Sequence, residues 1–123
     1  MVDRDGFATE SSTANLLLYW KDEGLVSPPR AKILPGVTVA TIEQLAGKLG
    51  ISFSRRSLTV ADVTRAEEAL LCSTSPCVWA VTRVNGKPIG SGRPGEMVAR
   101  LQRTWSEMVG LDIVAQALRF RNA

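Results

Sequence analysis

Residues 10–38, ESSTANLLLYWKDEGLVSPPRAKILPGVT, decide how this chain is to be read. In order they carry an acid, Glu10, ahead of the apolar run Leu16-Leu17-Leu18-Tyr19-Trp20, a proline-marked turn at Ser27-Pro28-Pro29, and Leu34-Pro35-Gly36-Val37-Thr38. Beyond Thr38, apolar residues at Val39, Ile42, Leu45, Ala46 and Leu49 recur at helical spacing, with Glu43, Gln44 and Lys48 between them and Gly50 as a stop signal. The spacing predicts an amphipathic helix over 36–49, about three turns long.

The way into that helix has the chemistry of an anion site. Gly36 lets backbone approach a ligand, and the first peptide N–H groups have no partner within the helix. Free donors and the positive end of the helix dipole both favour negative charge there. Thr38 either adds a hydroxyl donor to a phosphate or simply caps the helix, as threonines beside a glycine turn commonly do. A second candidate lies in Leu70-Leu71-Cys72-Ser73-Thr74-Ser75-Pro76, where an apolar run ends abruptly in small and hydroxyl-bearing residues. A buried strand would deliver hydroxyls and amides to its end there; the alternative is an ordinary serine and threonine turn. Glu10 sits between the turn-like Asp3-Arg4-Asp5-Gly6 and the apolar run, where a carboxylate can be held beside a ring nitrogen or can simply be a solvated strand end.

Strand and helix signals alternate along the rest of the chain. Strands are expected near 7–20 and 51–57, a short helix near 59–66, and further strands over Glu68–Cys72 and Val78–Val84. Asn85-Gly86 is a hairpin signal, and Pro88 makes the returning Lys87-Pro88-Ile89 an edge strand. A last helix starts after Pro94 and carries Val98, Leu101, Trp105 and Met108 on one face. This alternation predicts an α/β fold, and 123 residues with 45% apolar content suit one domain spanning residues 1–123.

Taken together, the segments DRDGFATESSTANLLLYW, SPP, ILPGVT, ADVTRAEEALLCSTS and NGKPIGSGRPG resemble the class IV (fold-type IV) aminotransferases in order and spacing. That family includes branched-chain and D-amino acid aminotransferases and aminodeoxychorismate lyase, and the resemblance runs from Asp3 to about Gly110. It implies the family's open pseudo-barrel domain without the smaller N-terminal domain, and pyridoxal 5'-phosphate as cofactor. It further implies that Glu10 binds the pyridine nitrogen, that Leu34 packs on the ring, and that Gly36, Val37 and Thr38 hold the phosphate through amides and hydroxyl. Thr74 matches a threonine whose hydroxyl reaches the phosphate, and the Ser75 amide falls where the family contacts the substrate carboxylate. In such enzymes the protein tunes and orients the cofactor.

Two departures stand out. Val39 occupies the place where the family commonly has an arginine, so any ion pair made by that arginine is absent. The family's Schiff-base lysine lies a few dozen residues before the acid, which places it upstream of Met1. The four lysines present, Lys21, Lys32, Lys48 and Lys87, fall in turns, loops and a helix end without the apolar surroundings that activate an amine. The expectation is therefore a fragment of an aminotransferase or lyase acting on an amino acid, keto acid or amino-chorismate, or a noncatalytic remnant that serves association. Surface normally covered by the absent domain would favour a homodimer or other self-association.

Composition excludes several other classes. Fifteen basic against 12 acidic residues leave +3, and Arg55-Arg56 is the longest basic run in the body of the chain, so nucleic-acid binding is poorly supported; the tail Arg119-Phe120-Arg121 reads as a solvated end. No run approaches a membrane span, and the start lacks a basic-then-apolar targeting pattern, which points to a cytoplasmic setting. Histidine is absent and Cys72 and Cys77 are not at metal or redox spacing, so metal sites are not expected and the thiols read as free and largely buried. Gly90-Ser91-Gly92-Arg93-Pro94-Gly95 fits the dinucleotide pattern GxGxxG, but the strand before it contains Pro88 and the 28 residues after Gly95 hold no convincing second strand.

Overall fold

The computed structural model describes residues 1–11, 14–34, 36–73 and 77–121. Its elements are β1 (Phe7–Ala8), β2 (Asn15–Trp20), β3 (Gly24–Ser27), a 3₁₀ turn (Arg30–Lys32), α1 (Val37–Leu49), β4 (Phe53–Arg55), β5 (Leu58–Thr59), α2 (Val60–Arg65), β6 (Glu68–Ser73), β7 (Cys77–Val81), β8 (Arg83–Val84), β9 (Lys87–Pro88), α3 (Glu96–Val109) and α4 (Ile113–Arg121). A five-stranded sheet in the order β4-β3-β2-β6-β7 forms the centre, with two-stranded sheets β1-β5 and β8-β9 beside it. All its neighbours are antiparallel except β3 and β4, which run parallel and are joined through α1.

Burial on both faces explains why β2 reads as an unbroken apolar run. Successive side chains of a strand point to opposite faces, so a sheet covered on both sides needs apolar residues at every position. Leu17 joins Ile42, Leu45 and Ala46 of α1 and Met97, Val98 and Leu101 of α3 in one core cluster. Its neighbour Leu18 joins Ala8, Val26, Leu58, Val63 and Ile89 in the other. Leu25 and Val26 of β3 split the same way, as do Leu70 and Ala69 of β6. Helices α1 and α3 thus cover one face, and α2 with the small sheets covers the other.

The expected helix over 36–49 is α1, which ends as foreseen on Gly50 in the left-handed region (φ 70°). The short helix is α2, held by a reciprocal capping box in which Thr59 Oγ1 accepts from the Asp62 amide at 2.9 Å and Asp62 Oδ2 accepts from the Thr59 amide at 2.8 Å. Pro88 does lie on a short strand paired to β8 alone. Cys72 is buried and Cys77 partly so, both free.

The strands expected near 7–20 are β1 and β2. Residues 24–27, for which the sequence pattern predicts no strand, form the fully buried β3. A further helix, α4, follows α3 and runs to Arg121; Arg119 in it is exposed, as expected of a solvated end. Met108, expected on the buried face of the last helix, is 42% exposed because α3 runs past the sheet in its final turn.

Candidate functional site

Glu10 and Asn15 form an antiparallel bridge closing the turn between β1 and β2, tightened by the Ser11 amide donating to the Ala14 carbonyl at 2.9 Å. Both side chains therefore lie on one side of that turn. Asn15 Nδ2 donates to Glu10 Oε2 at 2.8 Å and to the Leu34 carbonyl at 3.4 Å. The Leu34 amide donates to the same carboxylate, shared between Oε1 and Oε2 at 3.3 Å each. A residue 24 positions away in sequence is thus pinned to the acid.

Just beyond Leu34, α1 begins at Gly36, which serves as N-cap in an extended conformation with no side-chain cap. Thr38 is therefore not the cap; it sits in the first turn and is buried. Among the described residues no side chain accepts from the leading amides of α1, the state in which a helix terminus favours an anion. Leu34 is 73% exposed and Val37 85% exposed.

A cavity of about 220 Å³ opens on the other side of Gly36 and includes Val39 in its wall. Guanidinium groups reach it from elsewhere: Arg55 and Arg30 meet Glu43 at 3.7 and 4.0 Å. Positive charge near this end of α1 thus comes from the 3₁₀ turn and β4 rather than from position 39.

Thr74 and Ser75 lie outside the described residues. The strand leading to them, β6, runs beside β2 with Cys72 opposite Asn15. Cys72 Sγ lies 3.6 Å from the Asn15 carbonyl, and burial pushes this thiol up to about 12, which keeps it a neutral donor. All four lysines are exposed, and Lys32 pairs with Asp3 at 3.3 Å and Asp5 at 3.9 Å. Asp3 in turn accepts from the Asp5 and Phe7 amides, as its turn-like surroundings suggested, and the Phe7 hydrogen bond leads in pulling its pKa below the usual carboxylate value.

The glycine-rich loop at 90–95 has a different job. Glu68 Oε1 and Oε2 accept from the amides of Met97 and Val98 at 2.8 and 3.1 Å, so the start of α3 already holds a carboxylate. A Cβ at Gly95 would collide with the Glu68 side chain, and one at Gly90 with the Glu67 carbonyl, where the backbone also has φ 57°. These glycines allow close packing on β6, and the dinucleotide pattern is coincidental.

The residue that sequence reasoning missed is Asn15. Its signal was a polar amide heading an apolar run five residues after the acid, but nothing local says that both would face Leu34.

Comparison with known proteins meets this geometry directly: residues 1–84 match the family described as Amino-transferase class IV. The chain belongs to that family. It is 31% identical over 109 residues to the branched-chain-amino-acid aminotransferase of Pseudomonas aeruginosa, covering 89% of this chain and 35% of that protein. Among solved structures, the Escherichia coli branched-chain aminotransferase superposes with a TM-score of 0.78 at 32% identity, over 83% of this chain and 35% of that one. The 4-amino-4-deoxychorismate lyase of Pseudomonas aeruginosa gives 0.76 at 25% identity, over 87% and 38%. This class IV aminotransferase chain therefore spans about a third of the length of such relatives. Its mixed α/β fold is the one they share.

Proposed function

We propose that this chain is the cofactor-holding domain, residues 1–123, of a class IV aminotransferase or aminodeoxychorismate lyase-like enzyme. Pyridoxal 5'-phosphate is its ligand. The observation that carries this reading is the pinning of Glu10 to Leu34 just before α1, whose start no side chain among the described residues caps. When bound, that cofactor supplies an electron sink for amino-group chemistry. Glu10 would accept from the ring nitrogen, Leu34 would flank the ring, and the leading amides of α1 with Thr38 would take the phosphate. Thr74, with the phosphate, and Ser75, with a substrate carboxylate, complete the proposed set. The substrate is an amino acid with its keto acid, or an amino-chorismate. The reacting amine belongs to sequence other than these four lysines, all of which are exposed and lack the apolar surroundings that activate an amine. A cytoplasmic setting suits the two free thiols, and among the described residues no helix is long and apolar enough to cross a membrane.

Titration of the full chain with pyridoxal 5'-phosphate, pyridoxine 5'-phosphate and unphosphorylated pyridoxal tests the reading. Saturable binding of both phosphate esters, much weaker binding of pyridoxal, and no stoichiometric borohydride labelling of a lysine are expected. Equal binding of all three compounds, or of none, would sink it.

A second reading, an association module, is favoured by one observation. Met108, Val109, Leu111, Val114 and Leu118 are 39–50% exposed around the corner between α3 and α4. Sedimentation equilibrium shows reversible dimerisation if that corner pairs with a second copy, and a monomer throughout if it does not.

A further inference from the structure

We propose that Asn15 is the positioning residue of this site: it leaves Glu10 Oε1 as the oxygen open to a ligand's N–H donor, and it is the reason that position 36 is glycine. The first half rests on the cofactor reading above. The contact with Gly36 stands without it.

The donor arithmetic runs through one side-chain amide. Asn15 has two N–H donors and an acceptor oxygen, and its side chain is enclosed, the residue being 9% exposed. The donors go to Glu10 Oε2 at 2.8 Å and the Leu34 carbonyl at 3.4 Å. Reversing the amide would set its oxygen 2.8 Å from a carboxylate oxygen, two acceptors facing each other, so the donor assignment follows from the partner. Among the described residues, Glu10 Oε2 then receives Asn15 and a share of the Leu34 amide, whereas Oε1 receives its 3.3 Å share of Leu34 and no other donor. Oε1 is thus the oxygen with capacity for a further donor. Meanwhile Asn15 Oδ1 lies 2.5 Å from where a Cβ at Gly36 would stand, so a side chain there would force the amide that orients the acid to shift. One residue sets the spacing between the acceptor and the helix amides, which fixes the length of ligand that can touch both.

Three measurements on the full chain test this. In Asn15→Leu, similar in volume but without donors, amide exchange at Leu34 is expected to accelerate about tenfold, with core amides such as Leu70 unchanged. Pyridoxal 5'-phosphate affinity should fall about tenfold in that variant but change less than about twofold when the same substitution is made in Glu10→Gln. With cofactor labelled with ¹⁵N in the ring, Asn15→Leu should also move the ring-nitrogen shift, which a purely structural role would leave in place. Should Asn15→Leu fail to fold, Asn15→Asp, which trades the donors for an acceptor, takes its place. Gly36→Ala should lower stability, and Asn15→Ala combined with Gly36→Ala should recover most of that loss.

Unchanged Leu34 exchange, or an affinity loss that persists in Glu10→Gln, overturns the positioning role. Gly36→Ala without effect on stability overturns the steric one. Absence of cofactor binding by the unmodified chain would defeat the functional reading alone, because Leu34 exchange and the Asn15–Gly36 pair still decide this proposal.

Discussion

Two helices of this chain, α1 and α3, enter through glycine, pack on the same face of the sheet and contribute to one core cluster, yet their first turns are finished differently. At α3 the carboxylate of Glu68 caps the amides of Met97 and Val98. At α1 the nearby carboxylate of Glu10 is tied instead to Leu34 and Asn15, and no side chain among the described residues caps the helix. A glycine before a helix therefore says little about ligand binding until the partner of its amides is known. The loop with the better-known phosphate motif is the one whose helix amides are already taken by a carboxylate of the protein.

The largest expected effects test the feature the two helices share. Ile42→Ala in α1 and Leu101→Ala in α3 each remove a fully buried side chain and should each cost about 3 kcal/mol in urea unfolding. A cost below about 1 kcal/mol at either would show that the helices are not equally seated on the sheet. Next comes the difference itself. Glu68→Ala should cost about 1–2 kcal/mol by stripping the cap from α3, without altering phosphate-ester binding. Glu10→Ala should cost less stability but most of that binding, and equal stability losses would erase the distinction.

The box at α2 provides a pH test at a third helix start. Hydrogen bonds from Arg56 hold Glu23 below its ordinary pKa. At Asp62 burial pushes upward, but the Thr59 amide and Arg56 outweigh it and the net shift is downward. Depressed carboxylates stabilise the fold above about pH 4 and lose that contribution as the pH falls through their folded-state values. Because these side chains are 25–38% exposed, solvent screening limits the expected cost of Arg56→Ala to about 1 kcal/mol at pH 7. That cost should shrink as the pH falls and both carboxylates are protonated, and a cost that does not change with pH would mean that Arg56 acts mainly through its stacking on Trp20 at 5.2 Å.

Smallest in stability, and most direct on the comparison, is Val37→Glu. It gives α1 an acidic first residue at an 85% exposed position, so stability should rise by up to about 0.5 kcal/mol while phosphate-ester affinity falls. Parallel changes in both quantities would show that the start of α1 is not the phosphate contact.

Much of this was legible in the sequence because it depends on local rules. The apolar spacing from Val39 to Leu49, the stop at Gly50, the short helix near 59–66 and the Asn85-Gly86 hairpin each concern residues close together, and helix periodicity or turn chemistry decides them. The order of several short segments was enough to suggest the family, and Glu10, Leu34 and Gly36 were singled out before their contacts were known.

Tertiary structure alone decided the rest, since it depends on residues far apart in the chain meeting across the sheet. Strand β3 is central because β2 and β4 flank it, which a four-residue segment between two turns cannot announce. Glu68 caps a helix 29 positions later, Leu34 finds Glu10 across 24, and Asn15 reaches the space above Gly36. Local sequence determines which groups are available as donors, acceptors and caps; only the fold determines which of them are already used.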